Sequence, residues 1–148
     1  MKFGQVLNRT DIRGLIPQTG AMCLLSGVSA WDETRLIAQS DRHLQPDYPL
    51  RVEGRVRTVC ALESAAQAMA LHGALCAGGT AQSGYLASVR GVNLHQPWLP
   101  DAPMQIQVNA VWTDQQGFTD TFAITCDEQP LISGKITIFL SNTVGDNV

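Results

Sequence analysis

The chain reads as an α+β domain in which a curled antiparallel sheet of about six strands wraps one long central helix. Three features predict this. Residues 59–77 form a proline-free run rich in Ala, Leu and Met whose apolar side chains occupy nearly every angular position. Four long segments rich in β-branched and aromatic residues follow, separated by proline or glycine turns. Two shorter segments of the same kind precede the helix and flank a polar group.

Residues 11–15 can form a short helical turn, stopped by Pro17 and Gly20. Residues 22–30 and 35–40 flank Trp31-Asp32-Glu33-Thr34 and read as a β-hairpin. Residues 41–57 carry Pro46, Pro49 and Gly54 among charges without a period, a loop long enough to carry function. The helix comes next, with Thr58 as its candidate N-cap and Gly78-Gly79 as its stop. Strands are expected over 83–94, 104–113, 118–127 and 131–141. The turns Gln115-Gln116-Gly117 and Glu128-Gln129-Pro130 are short enough to make the last three an antiparallel meander.

A helix apolar all round in a soluble protein is buried all round, and a single layer of strands achieves this by curling about it. This is the hotdog fold. Such a half-wrap leaves an edge strand and one flank of the helix uncovered, so a dimer is the expected unit.

At 148 residues the chain supports one domain with a substantial core, followed by a short polar tail after 141. A net charge of −3 and scattered arginines exclude the concentrated basic face that nucleic acid requires. Cys23, Cys60, Cys76 and Cys126 are widely spaced in apolar segments, which excludes a structural metal site and reads as small buried hydrophobes. Met1 to Gln5 lack a signal-peptide apolar region, and Glu63, Ser64, Gln67 and His72 interrupt the longest apolar stretch. No membrane span is expected, and the chain reads as soluble and cytoplasmic. Trp31, Trp98 and Trp112 read as core or interface packing residues.

Glu63 is the anomaly of the helix, because an ionised carboxylate among apolar side chains costs several kcal/mol unless something compensates it. Two readings stand. Near the exposed helix start the dipole favours a carboxylate with no further role. In apolar surroundings a carboxyl group instead serves as a proton donor near neutral pH. Gln67 lies one turn later on the same face, within reach of that carboxyl group or of a ligand beside it. Arg51, Arg55 and Arg57 form a basic cluster ahead of the helix, either solvated or suited to an acidic carrier or a phosphate.

Glu63-Ser64-Ala65-Ala66-Gln67-Ala68-Met69 resembles the helix motif of the beta-hydroxyacyl-(acyl carrier protein) dehydratases. Tyr85 to Val92, Trp98-Leu99-Pro100-Asp101-Ala102-Pro103 and Ile132-Ser133-Gly134-Lys135 resemble the same family. Ala66 to Gly73 is similar to the extended motif in the dehydratase-like proteins of aryl polyene biosynthesis. The resemblance implies dehydration of a 3-hydroxyacyl thioester, on an acyl carrier protein or coenzyme A, to the trans-2-enoyl product. It implies Glu63 as the acid serving the hydroxyl group and Gln67, Leu86, Ala87 and Arg57 as substrate contacts. No cofactor is expected, since no metal, flavin or nucleotide motif is visible and the implied chemistry needs none.

The base departs from the family pattern. Tyr48-Pro49-Leu50 occupies the place of the family's loop histidine, and a phenol with an ordinary pKa of about 10 is protonated at neutral pH. His43, in the same loop, is one candidate base and is otherwise an ordinary surface residue; a partner subunit's histidine is another. His72 lies about half a turn around the helix from Glu63 and reads as a packing residue, and His95 as a surface one. Three functions remain: a dehydratase subunit, a non-catalytic hotdog subunit pairing with an active dehydratase as a homo- or heterodimer, and a hotdog acyl thioesterase.

Overall fold

A computed structural model describes residues 6–17, 20–79 and 84–141. Met1 to Gln5, the first residue of the expected 83–94 strand and the polar tail beyond 141 lie outside the described residues. Seven antiparallel strands form one sheet in the order β1-β2-β3-β5-β6-β7-β4. They are β1 (Leu7–Asn8), β2 (Gly27–Trp31), β3 (Arg35–Ser40), β4 (Gly84–Leu94), β5 (Met104–Thr113), β6 (Gly117–Cys126) and β7 (Gln129–Leu140). A single turn, α1 (Arg9–Ile12), precedes the main helix, α2 (Ala61–Cys76).

The alternation of each strand sets the core. On β6, Phe118, Asp120, Phe122, Ile124 and Cys126 are buried while the intervening residues are not. On β5 the inward set is Met104, Ile106 and Val108, and on β3 it is Leu36, Ala38 and Ser40. α2 packs against β3, β5, β6 and β7, and its Ala61, Ala65, Ala68, Met69, Leu71 and Ala74 are fully buried. Full burial of a Leu, Ile or Met side chain contributes about 1.5–3 kcal/mol, so this seam holds helix and sheet together. Residues 58–76 are long and apolar enough to cross a membrane by composition alone, yet here they are the core helix of the sheet.

The helix is not buried all round. Glu63 is exposed and Ala66, Ala70 and Gly73 are partly so, because a single curled layer covers only one side. Thr58 does not cap the helix. Thr58–Cys60 form a 3-10 turn leading into α2, and the Thr58 hydroxyl is buried with no partner among the described residues. The far end behaves as expected. Gly78 and Gly79 take φ of 87° and 93°, open to glycine at little cost, and their N–H groups donate to the Leu75 and Ala74 carbonyls.

Other boundaries moved for identifiable reasons. α1 lies over Arg9–Ile12 rather than 11–15 because Asn8 and Asp11 form a reciprocal capping box, with both bonds at 2.9 Å. The expected 22–30 strand begins only at Gly27, since the backbone of Met22 and Leu24 is taken up by the Gln67 side chain. The last turn is Asp127-Glu128, both at positive φ as in a two-residue hairpin turn, which starts β7 at Gln129.

Candidate functional site

Glu63 stands in the first turn of α2 and opens onto a cavity of about 180 Å³. Ala66 and Ala70 continue the floor along the helix, and Gly84, Tyr85 and Leu86 of β4 form one wall. Phe118, Ile138 and Leu140 close the far side. The structure therefore brings Glu63 and Leu86 together. Ala87 is exposed and sits where a register shift interrupts the β4–β7 ladder between Leu86 and Ser88.

Tyr48 lies in the loop ahead of α2, within electrostatic reach of Cys60 and Glu63. It is buried, and that burial, followed by the charges of Cys60 and Glu63, pushes its phenol up to about 12. The phenol stays protonated throughout the neutral range. His43 lies elsewhere. Its Nε2–H donates to the Pro100 carbonyl at 3.0 Å, and the ring lines a separate cavity with Arg51, Arg55, Trp98 and Asp101. Burial holds the His43 imidazole below its ordinary range.

The loop that carries both residues is tied down from within. Arg42 pairs with Asp47 at 3.0 Å, and the Arg51 guanidinium donates to the carbonyls of His43, Gln45 and Gly54. These bonds fix the His43 backbone and oppose any swing toward Glu63. Arg55 and Arg57 stack over the Trp98 ring, 3.6 and 4.9 Å from its centroid. Arg57 is thus held at the surface by an aromatic face, its charge still open to solvent.

Gln67 is fully buried. Its Oε1 accepts from the Leu24 N–H at 2.8 Å and its Nε2 donates to the Met22 carbonyl at 2.6 Å. The amide thereby staples the segment ahead of β2 to the helix, and neither bond leads to Glu63. His72 is also buried, with its Nε2–H donating to the Asp32 carbonyl at 2.7 Å.

Sequence reasoning missed Asp120. It occupies an inward position of β6 between Phe118 and Phe122 and is 2% exposed. Burial raises its carboxyl group to about 7. The signal was present as an acidic residue in the apolar register of an alternating strand. Among the described residues, no group of three or more His, Cys, Asp or Glu is placed to hold a metal ion.

The cavity holds a carboxyl group and apolar walls, with no histidine among its lining residues. The ApeP-like family, described as ApeP dehydratase, matches residues 10–147. No curated protein matches the chain in sequence. Among solved structures, the dehydratase heterocomplex ApeI:P from Xenorhabdus doucetiae is similar with a TM-score of 0.81 and 20% identity, covering 90% of this chain and 92% of that one. A hypothetical thioesterase with coenzyme A from Streptococcus pneumoniae TIGR4 has a TM-score of 0.58 at 13% identity, covering 78% and 84%. Cj0977, a sigma28-regulated virulence protein from Campylobacter jejuni, has a TM-score of 0.62 at 7% identity, covering 89% and 86%. At these identities the structural likenesses establish the hotdog fold.

Proposed function

We propose, from the premise that the chain belongs to the ApeP-like dehydratase family, that it is one subunit of a 3-hydroxyacyl-thioester dehydratase whose base comes from a second hotdog chain. The observation that carries this reading is that no histidine is among the residues lining the cavity at Glu63. Tyr48, where the family's loop histidine would stand, is buried and protonated at neutral pH, while the loop's own imidazole is bonded to Pro100 in another cavity.

In the proposed reaction an imidazole of the partner removes the α-proton of the 3-hydroxyacyl thioester. The electron pair forms the Cα–Cβ double bond as the C–O bond breaks, and Glu63 protonates the departing hydroxyl group, which leaves as water. The amide dipoles at the start of α2 offset the charge that develops on the thioester carbonyl. An acyl carrier protein or coenzyme A would carry the acyl chain, and the exposed guanidinium groups of Arg55 and Arg57 would be open to its phosphate.

The open flank supports the pairing. Glu63 is exposed in the single chain, and β4 is an edge strand carrying exposed Tyr85, Leu86, Val92 and Leu94. A second hotdog chain laid on β4 would pair the free edge and remove Glu63 from water, where a carboxyl group becomes an effective proton donor. The heterocomplex seen in the Xenorhabdus relative supports a partner that differs from this chain.

The test is turnover of a 3-hydroxyacyl thioester by the assembled complex. Glu63→Gln in this chain should lower kcat about 10²- to 10⁴-fold, the usual worth of a general acid. His43→Ala should leave turnover near the wild-type value, and its loss there would return the role of base to His43.

A further inference from the structure

The seven strands carry three cationic residues, Arg35, Arg90 and Lys135, and a single acidic one, Asp120. Asp120 is buried on the inner face, whereas the alternation of β3, β4 and β7 turns all three cations onto the face away from α2. They lie far apart in sequence, and strand order gathers them. One cross-strand row runs through Arg90, Lys135, Thr121, Asn109 and Arg35, across β4, β7, β6, β5 and β3. The outer face of a chain with net charge −3 is therefore cationic, with no strand acid on that face to offset it.

Arg35 is paired with Asp32 at 3.9 Å, while Arg90 and Lys135 have no ion pair among the described residues. The two are exposed and directly opposite each other, an arrangement in which like charges repel. At such a pairing the Cβ atoms stand about 5 Å apart, close enough for both side chains to reach one multivalent anion. A bulge completes the surroundings. Gly91 takes φ of 59°, and the ladder advances three residues on β4, from Arg90 to Asn93, against two on β7, from Lys135 to Ser133. The extra residue turns Asn93 onto the same face as Arg90. Both cations line an open depression of about 540 Å³ whose other polar members are Asn93, Asn109, Thr121 and Ser133, and no acidic residue lines it. The rest of its lining, Gly91, Phe122, Ala123 and Gly134, offers apolar groups or bare backbone. Every polar side chain in the depression can donate a hydrogen bond.

We propose that this depression on the outer face of the sheet binds the phosphate group of a ligand, with the Arg90 guanidinium and the Lys135 ammonium as its cations and Asn109, Thr121 and Ser133 as neutral donors. The planar fork of arginine and the point charge of lysine together match a phosphate dianion, whose terminal oxygens take donors from both sides at once. A monovalent anion would leave one of the two cations uncompensated. The site is separate from the Glu63 cavity on the inner face and does not depend on the dehydratase reading. A second chain laid along β4 would leave it open, because edge pairing uses backbone groups in the plane of the sheet.

The experiment is titration of the full chain with inorganic phosphate, followed by NMR and compared with chloride at equal ionic strength. Phosphate should saturate with shifts centred on Arg90, Thr121 and Lys135, and chloride should not. Arg90→Gln and Lys135→Gln should each weaken binding about three- to tenfold, and the double variant should lose saturable binding. Its melting temperature should stay at or above that of wild type, since a repelling pair has been removed. A second arm measures cosedimentation with phosphatidylcholine vesicles, with and without phosphatidic acid. Retention that needs phosphatidic acid and is lost in the double variant would assign the phosphate to a lipid headgroup; saturable inorganic phosphate without retention would assign it to a soluble ligand. Shifts centred on Arg55 and Arg57, an equal response to chloride, or binding unchanged in the double variant would overturn the site. So would the absence of binding to both probes.

Discussion

A single buried carboxyl group gives the molecule a distinctive dependence on pH. Asp120 titrates near 7 in the folded chain and near the ordinary 3.8 when unfolded, so the folded state favours its protonated form. Its contribution to stability is full below about pH 4 and is lost as pH rises toward 7, a change of a few kcal/mol. His43 and His72, both lowered by burial, act in the opposite sense, stabilising above their unfolded range and costing stability as pH falls. Asp120→Asn should therefore raise the melting temperature at pH 8 and leave it nearly unchanged at pH 4, as read by calorimetry across that range. Gln67 makes the opposite prediction. Replacing it with leucine strands the buried Leu24 N–H and Met22 carbonyl, and chemical denaturation should show a loss of about 1–3 kcal/mol for each group left unpaired. Neither role was equally legible beforehand. The inward register of Asp120 could be read from the Phe118, Phe122 and Ile124 alternation, whereas the partners of Gln67 lie more than 40 residues away, where no local pattern points.

The elements were legible where a period was strong. β3 and β5 carry the boundaries the alternation predicts, and α2 lies within its expected run because alanine, leucine and the glycine stop agree. Strand order was not legible. Nothing in 84–94 announces that β4 crosses to the far side of β7, leaving the edge beside the open flank of α2. That position gives β4 its importance here, because its outer edge and its exposed Val92 and Leu94 are what a second chain would cover. Val92→Lys with Leu94→Lys should abolish the complex in sedimentation while changing the stability of the single chain by less than about 0.5 kcal/mol per site, as for exposed positions generally. The candidate site was half legible for the same reason. The helix motif pointed to Glu63, but its relation to Leu86, Tyr48 and the separate His43 cavity depends on how distant segments meet.

At the scale of the whole molecule, the proposed function makes this fold one half of a catalytic arrangement. One curled sheet buries one side of α2, Glu63 sits on the other, and the loop ahead of the helix carries the buried phenol of Tyr48. The cavity at Glu63 runs along the uncovered side, bounded by the strand that a partner would extend. Assembly, desolvation of Glu63 and completion of the acid–base pair are thus a single event in this account. The most direct measurement is dehydration of a 3-hydroxyacyl thioester by the purified chain alone, by the chain with a hotdog partner of the ApeI type, and by the same complex carrying Glu63→Gln. The account predicts no turnover from the chain alone, turnover from the complex, and its loss in the variant. Full turnover by the chain alone, or a complex indifferent to Glu63→Gln, would contradict it.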